Sequence, residues 1–364
     1  MGRFSNQTDF GDAALGKGTV SFYAADFDGN PVHYMPKHDA TNFIEGLRKY
    51  ANIETALYLG NSQSHSINQL KEGDNTMSGF LFDELISDSI LFLSASIPNA
   101  NLQEHYLLFE YFKQKLKSLD LLILPVFFDD FREDGIREAY FKNFANGQFV
   151  INHENETAKT VNQFLSRNFN NESDTSKALE VNIPNVSESD FKALNKTTQE
   201  VVEKELNEFL YDRFVFWKNR EQLRGEYFTK LYLTRNTIFN ISAQTTRNMI
   251  PARYERNFNA LKTILSRAIE DSIKVLLIIP PLRTDIKYPY KESEYTVFKQ
   301  ELKGLASENV KCIDLENIVQ AKFWGYSAPT QLFKTKDYDF MHFQTEGHRV
   351  LADSIKPYVL NLLR

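Results

Sequence analysis

The segment LYLGNSQS at residues 57–64 is the part of the sequence that best indicates the fold. An apolar run ends at Gly60, and the polar residues after it have the composition of a helix N-terminus. Short apolar runs of this kind recur, each followed by a stretch with helical spacing, and they predict strands at 55–59, 90–95, 121–128, 274–279 and 310–315. Apolar strands that alternate with helices are typical of a parallel sheet covered on both faces. The chain is therefore predicted to be a three-layer α/β/α protein.

Residues outside this framework suggest two additions to it. Residues 1–53 are predicted to form an N-terminal extension, with a hairpin turning at Asp28-Gly29-Asn30 and a helix after it. The α/β domain comprises 54–147 and 253–364, and it ends in a helix with apolar residues along one stripe. Residues 148–252, which begin with a polar stretch, are predicted to be a mainly helical insertion.

The composition excludes several classes of protein. The chain has 364 residues and a net charge of −6, which argues against nucleic acid as a partner. Its one cysteine, Cys312, excludes an internal disulfide framework and a cysteine-based zinc site. The 30 Phe and 17 Tyr are numerous, and many lie in 205–240. Aromatic residues at those spacings predict buried helix faces, with a substrate wall or a docking face as the alternative.

The N-terminal residues lack the basic and then apolar pattern of a signal peptide. No apolar run reaches the 18 residues or so that a membrane crossing needs. Two locations stay open on these grounds. Either the protein is cytoplasmic, or it is extracytoplasmic and its signal or anchor lies outside this sequence.

Ser62 lies at the predicted turn between the first strand and a helix. A serine at such a turn has its hydroxyl above the carboxyl edge of the sheet, where a helix N-terminus and loop amides favour a developing oxyanion. Serine and asparagine are also the commonest residues that cap a helix. Ser62 is therefore a candidate nucleophile or part of a helix cap.

The sequence DFMH at 339–342 lies just before the last predicted helix. An aspartate three residues before a histidine in a tight loop can turn back and bind the imidazole. Asp339 would then fix the tautomer of His342 and leave its other ring nitrogen free to act as a general base.

The order of these blocks resembles that of the SGNH (GDSL-like) hydrolase superfamily. GNSQS at 60–64 is similar to the first block of the family, and DFMHFQTEGHRVLAD at 339–353 is similar to its last block. The resemblance implies a flavodoxin-like α/β/α fold. It also implies that Ser62 is the nucleophile, His342 the base and Asp339 the acid that orients the base.

The middle blocks depart from the family pattern. The family has a glycine after the second strand, whose amide binds the oxyanion, whereas residues 94–101 read SASIPNAN. Asp129 stands where the family has an asparagine, and its carboxylate would repel an oxyanion. The amide near Ser96 and the side chain of Asn99 are therefore the candidate oxyanion donors. Turn and cap chemistry is the alternative for Asn99.

Charged residues near the same sheet edge have mainly structural interpretations. Asp129 and Asp130 are expected to pair with Arg132 or Arg137. Arg283 follows the fourth strand and is a candidate for binding a substrate carboxylate or phosphate, with a structural salt bridge as the alternative.

The seven histidines show no metal-ligand spacing, and no phosphate-binding loop is present, so neither a metal nor a cofactor is predicted. His65, three residues after Ser62, is a candidate for contact with the site. His105 is expected on a helix surface.

The predicted function is that of a serine ester hydrolase or O-acyltransferase that forms an acyl-enzyme on O-acyl groups of a small molecule, a carbohydrate or a cell-surface polymer. The diverged middle blocks are similar to the branch containing D-alanine-transfer and polysaccharide O-acyltransferase accessory proteins. That similarity implies a membrane-bound acyltransferase as a candidate partner and favours an extracytoplasmic location. The alternative is a non-catalytic binding module with a degenerate oxyanion hole. The sequence does not indicate an oligomeric state.

Overall fold

A computed structural model describes residues 19–21, 26–27, 30–36, 41–47, 50, 53–141, 149–169, 226–242 and 244–364. The strands in this part of the chain are β1 (Val20–Ser21), β2 (Asp26–Phe27), β3 (Asn30–Pro31), β4 (His33–Tyr34), β5 (Glu54–Gly60), β6 (Ser66–Ile67), β7 (Ile90–Ser96), β8 (Leu121–Pro125), β9 (Lys274–Ile279), β10 (Val310–Asp314), β11 (Trp324–Ser327) and β12 (Asp337–Phe343). The helices are α1 (Thr41–Leu47), α2 (Ser62–His65), α3 (Met77–Leu85), α4 (Leu102–Lys115), α5 (Glu138–Phe141), α6 (Glu156–Phe169), α7 (Glu226–Ile238), α8 (Pro251–Glu270), α9 (Glu292–Lys303) and α10 (Thr345–Leu363).

The central sheet has six parallel strands in the order β10-β9-β8-β5-β7-β4. Without the short edge strand β4, the five longer strands follow the doubly wound order 2-1-3-4-5. The chain reverses direction across the sheet at β5, whose two neighbours β7 and β8 lie on opposite sides of it. The predicted α/β fold with a parallel sheet is confirmed, and the carboxyl end of β5 lies at the switch point where such folds bind ligands.

Helices cover both faces of this sheet. Alternate residues of β5 enter two separate cores, with Leu57 and Leu59 on one face and Ala56 and Tyr58 on the other. Apolar residues of α1, α4, α6, α8 and α9 pack on the first face, while α3 and α10 pack on the second. The strands are mainly apolar along their length because both of their faces are buried.

Two predicted elements differ from the structure. The third predicted strand ends at Pro125, and a 3₁₀ turn at Phe128–Phe131 follows it. The strand stops because the amide of Phe127 donates to the Asp130 carboxylate at 2.8 Å. The segment around Asp339, predicted as a tight loop, belongs to the strand β12, which pairs antiparallel with β11.

The N-terminal residues contribute to the central sheet. β2 and β3 pair antiparallel, and β4 then pairs with β7 in parallel. α6, which falls in the predicted insertion, packs Ala158 and Val161 into the core. The division of the chain into domains stays a prediction.

Most of the aromatic residues in 205–240 lie outside the described residues, which resume at 226. Among the described helices, none has the length and apolar composition required to cross a membrane.

Two buried histidines are neutral parts of the core. His348 accepts a hydrogen bond from the amide of Met77 at 3.2 Å and donates one to the carbonyl of Ser66 at 3.1 Å. Burial lowers its pKa to about 3. His105 is buried, not on a helix surface, and neither of its ring nitrogens has a hydrogen-bond partner among the described residues. Burial and the nearby charge of Arg137 lower its pKa to about 3 as well.

These pKa shifts predict a loss of stability at mildly acidic pH. An unfolded histidine has a pKa of about 6.5, so between about pH 6.5 and 3 the unfolded chain binds protons that the folded chain does not. The stabilisation is complete above pH 6.5 and falls by about 1.4 kcal/mol per pH unit for each histidine as the pH decreases. The free energy of unfolding can be measured by urea unfolding between pH 4 and 6.5. In His105→Phe its dependence on pH should be smaller by about 1.4 kcal/mol per pH unit, the contribution of one histidine. Equal slopes for the variant and the wild type would contradict the prediction.

Candidate active site

The turn after β5 places Ser62 at the first position of the one-turn helix α2. Asn61 caps this helix, and its side-chain oxygen accepts a hydrogen bond from the amide of Gln63 at 3.0 Å. A Cβ atom at Gly60 would lie 2.6 Å from the Tyr58 ring and 2.9 Å from the Ser64 hydroxyl. The tight change from strand to helix therefore requires glycine at position 60.

A bulge in β12 carries the two C-terminal site residues. Tyr326 pairs with Tyr338 and Trp324 pairs with Phe343. Two residue steps on β11 thus match five on β12, which leaves three extra residues in β12. Bulges of this kind re-aim side chains and are frequent next to active sites. Asp339 and His342 lie within this bulge.

The structure brings the three predicted triad residues together. His342 Nε2 lies 2.9 Å from the Ser62 hydroxyl, and His342 Nδ1 lies 2.9 Å from Asp339 Oδ2. The three side chains are largely buried, with exposed fractions of 6%, 8% and 5% for Ser62, His342 and Asp339. With Nδ1 donating to the carboxylate, Nε2 is unprotonated in neutral His342 and can accept the serine proton.

Asp339 is ionised in this environment. Burial alone would raise the pKa of its carboxyl group, but His342 and the local hydrogen bonds hold the pKa below its usual value. The amides of Met341 and His342 each donate to Oδ1 at 2.9 Å. Hydrogen bonds to the charged form of a carboxylate stabilise that form.

Asn68 is a site residue that the sequence did not reveal. Its amide nitrogen donates to Asp339 Oδ2 and to the carbonyl of Tyr326, both at 3.1 Å, while its oxygen accepts from the amide of Tyr326 at 3.3 Å. A Cβ atom at Gly325 would lie 2.0 Å from the Asn68 side chain. Asn68 therefore fixes the carboxylate relative to β11, and glycine at 325 makes room for it.

Gln63 is a second residue that sequence reasoning missed. Its side-chain amide donates to the carbonyls of Pro281 and Met341, at 2.9 and 2.8 Å. It therefore ties α2 to the loop after β9 and to the bulge in β12. A signal for such residues was present in the sequence, because six consecutive polar residues at 61–66 directly follow an apolar strand, and the structure buries all six. Buried polar groups need hydrogen-bond partners.

The two candidate oxyanion donors, Ser96 and Asn99, have partners other than Ser62. The hydroxyl of Ser96 lies between His33 Nε2 at 2.7 Å and His65 Nδ1 at 2.5 Å. The amide of Ile97 donates to Gly60, so the preceding amide, that of Ser96, points toward β4. Asn99 is exposed and has a left-handed φ of 51°, with its carbonyl bound by Arg137. The structure does not join either residue to Ser62, and their oxyanion role stays a prediction.

Asp129 and Asp130 have structural partners. Asp129 forms ion pairs with Arg132 at 3.2 Å and with Arg247 at 2.8 Å. Asp130 accepts from the Phe127 amide and contacts the side chain of Asn61. Burial raises the pKa of Asp130 well above its usual value. Asp130 is therefore linked to the nucleophile turn through the residue that precedes Ser62.

Arg137 pairs with Glu104 rather than with either aspartate. Arg283, the candidate substrate-binding residue, is buried and forms two hydrogen bonds with Asp285, at 2.8 and 3.1 Å. It also donates to the carbonyl of Gly325 at 3.0 Å, and its guanidinium lies 4.6 Å from the centroid of the Tyr338 ring. These contacts are those of a structural salt bridge, which was the alternative interpretation of Arg283.

Within the described residues, no group of three or more His, Cys, Asp or Glu side chains is arranged to hold a metal ion.

Comparison with protein-family models finds no match, and neither does comparison with curated proteins. Among solved structures, a protein from Bacteroides fragilis NCTC 9343 provisionally described as an acylhydrolase is similar over 90% of this chain and 100% of its own. The identity is 12% and the TM-score 0.37. A likeness at this level carries no functional argument, so the chemistry must be argued from the site itself.

The role of Asn68 predicts a pH-dependent defect in a near-isosteric variant. Asn68→Asp places a second carboxylate next to the buried Asp339, and two like charges in one buried site repel. We expect the free energy of unfolding to fall by about 3 kcal/mol at pH 7 and by less at pH 5, where one carboxyl can be protonated. Asn68→Ala removes the donor alone and should cost about 2 kcal/mol.

Urea unfolding measures both effects. Asn309→Ala, which truncates an exposed asparagine, is the matched control and should change stability by less than about 0.5 kcal/mol. Stability losses for Asn68→Asp that do not depend on pH would show that Asn68 does not act on the Asp339 charge.

Proposed function

We propose that this protein is a serine ester hydrolase that acts through an acyl-enzyme on Ser62. The observation that carries the proposal is the unbroken series of hydrogen bonds from Ser62 through His342 to Asp339, at the switch point of a parallel sheet. A serine hydroxyl is a weak nucleophile unless a base removes its proton, and the base needs a third group to orient it. The three residues supply these roles in the required order.

In the proposed first half-reaction, Ser62 Oγ attacks the ester carbonyl carbon while its proton moves to His342 Nε2. Asp339 stabilises the imidazolium that forms. When the tetrahedral intermediate collapses, the bond from carbon to the alcohol oxygen breaks and His342 returns the proton to the leaving alkoxide. In the second half-reaction His342 deprotonates a water molecule, which attacks the acyl-enzyme and releases the acid and free Ser62.

The Ser62 amide is the oxyanion donor that we assign first. The first amides of a helix have no intrahelical acceptor, and in α2 the amides of Gln63 and Ser64 are bound to Asn61. The Ser62 amide precedes them, beside the hydroxyl that attacks. An amide in this position donates to the developing oxyanion and so stabilises the transition state more than the substrate.

An acceptor hydroxyl can replace water in the second half-reaction, which would make the protein an O-acyltransferase. The resemblance to the SGNH superfamily supports a carbohydrate or a cell-surface polymer as the acylated substrate, an extracytoplasmic location and a membrane-bound acyltransferase as partner. These finer assignments remain part of the proposal. Offering sugars and water together and measuring acylated sugar against free acid separates the two reactions.

A non-catalytic binding module is the second candidate. One observation favours it, because the Ser96 amide points away from Ser62 and Asp129, which stands where the family has an asparagine, is paired with Arg132 and Arg247. The two positions that resemble the family's oxyanion donors therefore contribute no donor here. The reactivity of Ser62 discriminates between the two candidates.

A fluorophosphonate probe should modify the wild-type protein at Ser62, because it reacts with activated serine hydroxyls. Ser62→Ala should abolish the modification. Ser64→Ala is the matched control, since that hydroxyl belongs to the same helix but donates to the carbonyl of Asn61 at 2.8 Å. Intact-mass measurement gives the result. A wild type that is not modified, or a Ser62→Ala variant that is modified equally, would reject Ser62 as the nucleophile.

Asp339→Asn tests the orienting acid. An amide nitrogen facing Nδ1 would favour the wrong tautomer of His342, so that Nε2 carries a proton and cannot accept one from Ser62. We expect the rate of p-nitrophenyl acetate hydrolysis to fall by about 10³–10⁴-fold. Asp285→Asn, which changes an aspartate paired with Arg283, should leave the rate within a few-fold of the wild type. A small effect of Asp339→Asn would remove Asp339 from the mechanism.

A further inference from the structure

We propose that a cleft beside the triad binds a negatively charged ring of the substrate, an inference that rests on the proposed ester hydrolysis and names its substrate class. The cleft has a volume of about 480 Å³ and is lined mainly by Tyr326 and by residues 333–338. We call it the Tyr326–Tyr338 cleft. The substrate that it fits is an acyl ester whose non-reacting part is a flat or pyranose ring with a carboxylate or a phosphate.

Aromatic faces form one side of the cleft. Tyr326 and Tyr338 are paired across β11 and β12, and their rings lie 5.5 Å apart with 34° between the planes. Tyr338 is 46% exposed and Phe333 is 89% exposed. Large aromatic side chains left exposed together indicate a surface that binds something. Lys336 and Arg283 cover outer faces of Tyr326 and Tyr338, so Phe333 is the aromatic ring with an open face for the apolar face of a ligand ring. The tyrosine hydroxyl groups can hydrogen-bond to its substituents.

The charge of the cleft selects an anion. Lys334 is paired with Asp337 at 3.1 Å, and Asp337 also accepts two hydrogen bonds from Thr330. The ammonium group of Lys336 lies 3.7 Å from the centroid of the Tyr326 ring, and among the described residues it has no acidic partner. The cleft thus has a net positive charge on a chain whose total is −6. Ammonium groups bind carboxylates and phosphates through charge-assisted hydrogen bonds.

The cleft and the triad share one structural element. Tyr338 directly precedes Asp339, and Asn68 links Asp339 to the backbone of Tyr326. His342 is four residue steps from Tyr338, which is at most about 13 Å along a strand. A substrate with its ring in the cleft and its ester carbonyl at Ser62 would need a connecting segment on that scale. Binding energy gained there can position the ester for attack.

Binding can be measured without catalysis in the Ser62→Ala variant. The probes are D-glucuronate, D-glucose 6-phosphate and neutral D-glucose, which share a pyranose ring and differ in their anionic group. Saturation-transfer-difference NMR titrations give the dissociation constants. We expect glucuronate, glucose 6-phosphate or both to bind at least about tenfold more tightly than glucose, because one charge-assisted contact is added. The stronger of the two anions identifies carboxylate or phosphate as the group recognised.

Two variants test the residues in the same Ser62→Ala background. Lys336→Ala should weaken anion binding about tenfold and leave glucose binding unchanged. Tyr338→Ala should weaken the binding of all three probes. Lys322→Ala is the matched control, since Lys322 also lies over an aromatic ring, that of Phe323, at 4.8 Å but outside the cleft.

Equal affinities for all three probes, no binding of either anion, or anion binding that survives Lys336→Ala would overturn the proposal. Such a result would leave the modification of Ser62 by the fluorophosphonate unaffected. Conversely, an unreactive Ser62 together with anion binding at this cleft would reject the hydrolase proposal and retain the ligand site.

Discussion

The buried charge of Asp339 is the interaction on which the rest of the site depends. A carboxylate removed from water is costly unless hydrogen bonds replace its hydration. Four donors reach the two oxygens of Asp339: the amides of Met341 and His342, the ring of His342 and the side chain of Asn68. The bulge in β12 is needed because in a regular strand the consecutive amides of Met341 and His342 would point to opposite edges and could not both donate to Asp339 Oδ1. The same bulge brings the His342 ring within reach of Ser62.

The sheet topology makes that arrangement possible. Ser62 and His342 are 280 residues apart in sequence, and they meet because β5 is central and its carboxyl end faces the β11–β12 hairpin. The amide of Gln63 contacts the chain both after β9 and within β12. Two distant segments are thereby held against one short helix. Rigid elements on each side keep Ser62 and His342 at hydrogen-bonding distance. In the proposed reaction this arrangement would reduce the entropy lost on reaching the transition state.

The strands and the three triad residues could be predicted because their signals are local. A strand buried on both faces is apolar along its length, and Ser62, Asp339 and His342 have the residue types and chain order of a known kind of site. Asn68 could not be predicted, since its value comes from a contact with a residue 271 positions away. The edge strand β4 has two residues, too few to show a period. The pairing of β12 is interrupted by its bulge, which hid the strand.

His33, Ser96 and His65 form a cluster that connects β4 to the helix containing Ser62. β4 lies before residue 54, where the resemblance to the family begins. A hydroxyl has one proton to donate, so at most one of the two imidazoles that contact Ser96 can accept it and at least one must donate an N–H. The three side chains are buried, so the tautomers of the two histidines and the direction of the Ser96 hydroxyl depend on one another. His65 ends the helix that Ser62 begins. A change in β4 would thus reach the nucleophile helix through two hydrogen bonds, at the position where the resembling family places a glycine.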